Sequence, residues 1–248
     1  MKKVLLDKRL WLFAIVFIMC IILGTYFYTS NKQKKESFDY SDYYISVKNE
    51  STENIENELS ENILSLEKLQ ADNSDVIGII EFDNKSIYEP IAQSKDNQYY
   101  LYHNYKGQYS AAGIPFVAED SNIFATNVVI YGHSSQEDDI IFTSLMNYKN
   151  IEYYKEHPTF KFQTLDETRT YQIFAVLSYD TNDINNSVEF TQSEWRKQSD
   201  YAYFLTSLQT DSLYDTNVTA TVHDKIMTLV TCDTKDTSKR LVVIGRLM

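Results

Sequence analysis

Lys225-Ile226-Met227-Thr228-Leu229-Val230-Thr231-Cys232 and Arg240-Leu241-Val242-Val243-Ile244-Gly245-Arg246-Leu247, separated by the polar run Asp233 to Lys239, decide how this 248-residue chain is read. Both apolar runs are aliphatic and β-branched, the composition of strands, and the polar run between them is a loop. If the strands pair as an antiparallel hairpin, Cys232 leaves the first where Arg240 enters the second, and thiol and guanidinium become close neighbours. Arg246 shares the face of Arg240 but lies roughly 20 Å further along, out of reach of the thiol. Arginine is scarce against lysine, with Arg9, Arg169, Arg196, Arg240 and Arg246 in the whole sequence. A solvated charge at a strand end remains the ordinary reading of Arg240.

A cation beside a cysteine favours the thiolate, which is the nucleophilic form. A guanidinium can also stabilise the oxyanion of a tetrahedral intermediate. Such chemistry needs a proton donor for the leaving amine, and histidine is the usual one. His103, His133, His157 and His223 are available. His133 ends Asn127-Val-Val-Ile-Tyr-Gly-His133, a buried strand opening into a polar loop, and sites collect at such rims. His103 and His157 read as loop residues, and His223 sits at the far end of the strand bearing Cys232. Spacing alone leaves the choice open.

Upstream, Val76–Phe82, Tyr88–Gln93, Ile114–Val117, Asn127–Tyr131, Thr159–Gln163, Arg169–Tyr179 and Val218–Val222 are further β-rich runs. So many short strands in one region predict a mostly β fold, a closed or nearly closed barrel. Helices are expected around it. Ile55, Leu59, Ile63, Leu66 and Leu69 share one helical face, which predicts a helix over Glu53–Gln70. Another is expected at Phe142–Asn147. A third should start near Thr191, where Glu194 completes a capping box; Trp195, Ala202, Leu205 and Leu208 form its apolar stripe.

Leu10–Tyr28 is uncharged and long enough to span a hydrocarbon core as a helix. Lys2, Lys3, Lys8 and Arg9 precede it, favouring a cytoplasmic N-terminus and an exported body at the cell membrane. Bulky Tyr26, Phe27 and Tyr28 end the stretch, against a cleaved signal peptide. Asn31–Ser51 is polar and aperiodic, a stalk. A net charge of −12 with no basic tract outside the membrane flanks argues against nucleic acid. The cysteines are Cys20, inside the apolar segment, and Cys232, so Cys232 is a lone thiol in an exported domain. A buried, inert cysteine is the bland reading. No Cys/His cluster has metal-ligand spacing, and no cofactor is expected.

Thr228-Leu229-Val230-Thr231-Cys232 resembles the Thr-Leu-x-Thr-Cys signature of the sortases. Lys239-Arg240-Leu241-Val242-Val243 is similar to the family's arginine strand, and Tyr131-Gly132-His133 to its Gly-His element. Asp75–Ile80, the Pro90 strand, Asp96–Leu101 and Gly113–Phe116 resemble its N-terminal half. The early helix, the Asn97…Leu101 element and an insertion over 180–217 point to class B. The resemblance implies an eight-stranded barrel whose insertion walls a groove, with Cys232, His133 and Arg240 catalytic. It further implies that Asn97, Leu101, Tyr131, Thr231 and Asp233 bind the substrate. It divides the chain into a cytoplasmic tail (1–9), an anchor (10–29), a stalk (30–52) and a catalytic domain (53–248). The implied activity is transpeptidation. Cys232 cleaves an Asn/Ser-Pro-x-Thr-Gly/Asn-like sorting signal of an exported protein after its Thr, and a peptidoglycan amine takes the acyl group. A membrane-tethered cysteine peptidase that only hydrolyses and a non-catalytic wall-binding barrel are the competing readings.

Overall fold

The computed structural model describes residues 38–48, 60–137, 140–183 and 189–248. The expected membrane segment lies outside them. Among the described residues no helix is long and apolar enough to cross a membrane.

A ribbon of β1 (Tyr44–Lys48) and β2 (Ser60–Leu64) precedes the barrel. The barrel strands are β3 (Val76–Phe82), β4 (Tyr88–Ala92), β5 (Phe116–Val117), β6 (Asn127–Tyr131), β7 (Thr159–Gln163), β8 (Thr168–Asp180), β9 (Ile226–Cys232) and β10 (Lys239–Leu247). They close in the order β10-β8-β7-β3-β4-β5-β6-β9. The expected closed barrel of eight strands is present. Closure leaves no unpaired edge.

The continuous apolar runs of β9 and β10 follow from burial on both faces. Met227, Leu229, Leu241 and Val243 point into the barrel with Ile80, Phe82, Phe160 and Phe162. Ile226, Val230, Val242 and Ile244 point outward and are covered by Tyr201, Phe204, Leu205 and Leu208. Those four belong to helix α3 (Gln198–Thr210). Each such side chain taken out of water contributes roughly 1.5–3 kcal/mol before entropy. One buried polar group ties the insertion to the barrel. Asn127, fully buried, donates to Phe190 O at 3.1 Å and to Gln192 O at 2.9 Å, and accepts from Thr228 Oγ1 at 2.7 Å.

Several local expectations are corrected. The helix expected over Glu53–Gln70 is, in its described part, strand β2 followed by α1 (Leu66–Asp72). Ser65 breaks the run, because its hydroxyl accepts from Lys68 N–H and caps α1. The apparent helical face over Ile63 and Leu66 spans that cap. The Thr191/Glu194 capping box does not form. Glu194 instead accepts from Thr126 N at 3.0 Å and Thr126 Oγ1 at 2.7 Å, and α3 begins at Gln198. Trp195 still packs on Tyr201 and Phe204. The helix expected at Phe142–Asn147 is a 3-10 segment, Thr143–Lys149, followed by α2 (Ile151–Glu156). Val218–Val222 is no strand. Val218 O accepts from Gln209 Nε2 and Thr221 N donates to Asp224 Oδ2, so side chains take the backbone groups a ladder would use.

The part of the expected stalk within the described residues is folded. Tyr40 and Tyr43 are buried with Leu64, Leu66, Tyr100 and Tyr105. The Tyr43 hydroxyl donates to Asp72 at 2.6 Å. Half-buried Glu89 of β4 lines the same region with Tyr40 and Tyr44. Burial pushes its carboxyl up from an ordinary 4.5 to about 8. The folded chain therefore holds a proton on Glu89 at neutral pH that the unfolded chain releases. Its contribution to stability is complete below pH 4.5 and falls as pH rises to about 8. Glu89→Gln should flatten that slope, raising stability at pH 8.5 relative to wild type by about 2 kcal/mol, an amount kept small by partial solvation. Urea unfolding of both proteins at pH 5.5 and 8.5 checks this; parallel pH dependences would remove Glu89 as the cause.

Candidate active site

The site is built where two parallel strands end together. β6 and β9 run parallel with Tyr131 opposite Val230, and Gly132 N donates to Val230 O at 3.1 Å. His133 and Cys232 each lie two residues beyond that pair, so the same register brings both to the barrel rim. β10 returns antiparallel with Arg240 directly opposite Cys232. The expected hairpin is therefore present, with Arg240 beside the thiol and Arg246 opposite Ile226 at the other end. Gly132 is required here, because a Cβ would come within 2.5 Å of the Phe142 ring.

These side chains border one groove of about 350 Å³, lined by Asn97, Leu101, Tyr131, His133, Thr231, Cys232 and Arg240 together with Phe116, Gly132 and Val230. Cys232 is half-exposed and unbridged. His133 Nε2 lies 2.9 Å from Leu101 O. A carbonyl only accepts, so that partner assigns the proton to Nε2 and orients the ring. Leu101 is itself placed by Gly113, whose φ of 62° and close approach to Tyr100 O leave no room for a Cβ. Arg240 Nη1 donates to Thr237 O at 2.9 Å and Lys239 O at 3.0 Å, which hold the guanidinium against its own turn. Asn97 accepts from Glu119 N at 2.8 Å, and burial pushes the Tyr131 phenol up. Thr231 is buried, and its Oγ1 has no hydrogen-bond partner among the described residues. A buried unpaired hydroxyl costs about 1–3 kcal/mol, which a ligand in the groove would relieve.

Asp233 is the one proposed site residue outside the lining. It is buried and forms an ion pair with Lys149, accepts from Lys235 N, and donates its own N–H to Lys239 O. Burial raises its carboxyl, but the Lys149 ammonium and the Lys235 N–H outweigh this and hold it below the usual carboxylate range. It organises the turn that returns the chain to Arg240. The other histidines are occupied elsewhere: His103 stacks on Tyr99, His157 pairs with Asp83, and His223 is exposed in a turn. No described residue from 180–217 is among those lining this groove, and α3 covers the outside of β8, β9 and β10. Phe116 and Ser134, whose hydroxyl donates to Cys232 O at 2.5 Å, were not visible as site residues in the sequence. Among the described residues no cluster could hold a metal ion.

The geometry agrees with comparison to known proteins. Residues 91–248 match the Sortase domain family. A Listeria monocytogenes protein, Sortase B, is 33% identical over 208 residues, covering 82% of this chain and 81% of its own. Clostridium perfringens sortase B superposes with a TM-score of 0.68 at 26% identity, over 74% of this chain and 100% of that one. The Staphylococcus aureus sortase B-substrate complex gives 0.66 at 27% identity, over 74% and 84%. The chain belongs to the sortase family of cysteine transpeptidases, and its relatives are class B sortases.

Proposed function

We propose that this sortase anchors exported proteins to the cell wall. It cleaves a C-terminal Asn/Ser-Pro-x-Thr-Gly/Asn-like signal after the Thr and transfers the acyl group to a peptidoglycan amine. The observation that carries the reading is the convergence of Cys232, His133 and Arg240 on one groove. The S. aureus relative has been solved as a substrate complex, which supports reading this chain as one that binds a substrate too.

Cys232 Sγ attacks the Thr carbonyl, and Arg240 meets the oxyanion that forms. The tetrahedral intermediate collapses to a thioester as His133 gives a proton to the leaving amine. The wall amine attacks the thioester, and His133 takes its proton, which restores the enzyme. Asn97, Leu101, Tyr131 and Thr231 hold the peptide, with the Thr231 hydroxyl pairing to it. The apolar segment Leu10–Tyr28 spans the membrane once, with the catalytic domain outside, so both substrates arrive at the same surface.

The test is product analysis. The protein is incubated with a library of Asn-Pro-x-Thr and Leu-Pro-x-Thr peptides, with and without triglycine, and read by mass spectrometry. Cleavage after Thr with a glycine-extended product is expected. Free acid alone, unchanged by added amine, would make it a peptidase; no cleaved peptide would leave the wall-binding barrel.

A further inference from the structure

The parallel ladder between β6 and β9 ends just before the two groups that must cooperate. Its last main-chain rung is Gly132 N–H to Val230 O. In a parallel ladder the next rung that this strand donates falls two residues on, from the N–H of residue 134 to the carbonyl of residue 232. Here the loop after His133 diverges toward Phe142, whose N–H donates to His133 O at 3.0 Å. The missing rung is made by a side chain: Ser134 Oγ donates to Cys232 O. The hydroxyl thus ties the residue after the imidazole to the main chain of the nucleophile, across 98 positions of sequence. On the far side of the same peptide group, Asp233 N–H donates to Lys239 O at 2.9 Å, and the Asp233 side chain is held by Lys149.

We propose that Ser134 is a positioning residue for the acyl transfer, fixing the separation of His133 and Cys232 by closing the ladder with its hydroxyl. It touches neither substrate nor the reacting atoms. Without it, the His133 loop loses the hydroxyl tie that hydrogen-bonds residue 134 to the main chain of Cys232 at the strand end bearing the thiol. The imidazole then spends less time at proton-transfer distance, and a misplacement of about 1 Å is enough to cost a large factor in rate. The groove that binds the peptide is left as it is. The effect therefore belongs in kcat and not in KM.

This inference rests on the transpeptidase reading, so its test has one arm that needs no peptide. Ser134→Ala should lower kcat for a cleaved peptide about tenfold with KM within twofold. Ser134→Thr, which keeps the hydroxyl, should recover to within threefold of wild type. Alkylation of Cys232 by iodoacetamide should slow about fivefold in Ser134→Ala and recover in Ser134→Thr. Circular dichroism and melting accompany each variant. A lowered Tm with kcat and alkylation unchanged would assign Ser134 to stability alone and overturn the proposal. So would a raised KM at constant kcat, or a folded threonine variant no better than alanine. If wild type cleaves no peptide, the transpeptidase reading fails, and the alkylation rates still decide Ser134.

Discussion

Cys232→Ala abolishes peptide cleavage and transfer together, by about 10⁴-fold or more, the scale seen when a nucleophile is removed. The loss is chemical and not structural. Cys232 is the last residue of β9, half-exposed, and its backbone pairing with Arg240 does not involve the sulfur. Removing one half-exposed sulfur opens no closed cavity, so melting should move by a few degrees at most. Cys232→Ser is expected to be nearly as inactive, because a hydroxyl at neutral pH supplies far less anion than a thiol does. Release of a fluorescent fragment reads turnover, and intact mass after incubation reads the thioester, which should accumulate on wild type without amine and never on either variant. Residual turnover within tenfold of wild type in Cys232→Ala would mean that another group performs the attack, and the reading of the whole groove would go with it.

The barrel was legible because its strands obey local rules. β3, β6, β9 and β10 carry β-branched or aliphatic runs and β7 an alternating aromatic pattern, each bounded by polar turns, and their ends fall within two residues of expectation. The exceptions share a physical cause: their structure is decided by partners distant in sequence. β1 is five residues long inside an otherwise polar stretch and takes its conformation from pairing with β2. β5 is two residues long, too short for any periodicity. Val218 and Val222 alternate as a strand would, yet they pack beneath α3 while nearby side chains satisfy the backbone. Thr191 and Glu194 have capping-box spacing, but Thr126 offers Glu194 two donors at once, and that pairing wins.

The same division runs through the site. Cys232 and Arg240 meet through a hairpin, a contact set by eight positions of chain, so the sequence was enough to pair them. His133 could only be placed at a strand end. What joins it to Cys232 is the parallel pairing of β6 with β9, which no local pattern announces. Lys149 lies 84 positions from Asp233 and reads as an ordinary surface lysine. Asp233 reads in the sequence as a substrate contact, and the structure shows its carboxylate taken up by Lys149 and by the N–H of Lys235. Ser134 was invisible for the same reason, since its hydroxyl acquires meaning only when residue 232 is beside it.

Arg240→Ala should lower kcat/KM for peptide by about 10³-fold, in line with the loss of an oxyanion donor. Arg240→Lys should recover little, remaining about 10²-fold down, because an ammonium cannot form the fork that a guanidinium forms. The fork matters here for a specific reason. Nη1 is engaged by Thr237 O and Lys239 O, so the group is anchored along one edge while it borders the groove opposite Cys232. A lysine reaching the same carbonyls would have no second nitrogen to present. The two roles open to Arg240 make different predictions. If it acts on the oxyanion, alkylation of Cys232 by iodoacetamide, which forms no oxyanion, stays within threefold of wild type while peptide acylation collapses. If it acts by favouring the thiolate, both fall together. The first outcome is expected, since the guanidinium is tied to the turn carbonyls on the groove wall. A lysine variant with wild-type kcat/KM would show that charge alone suffices, and the anchored fork would have no part in the chemistry.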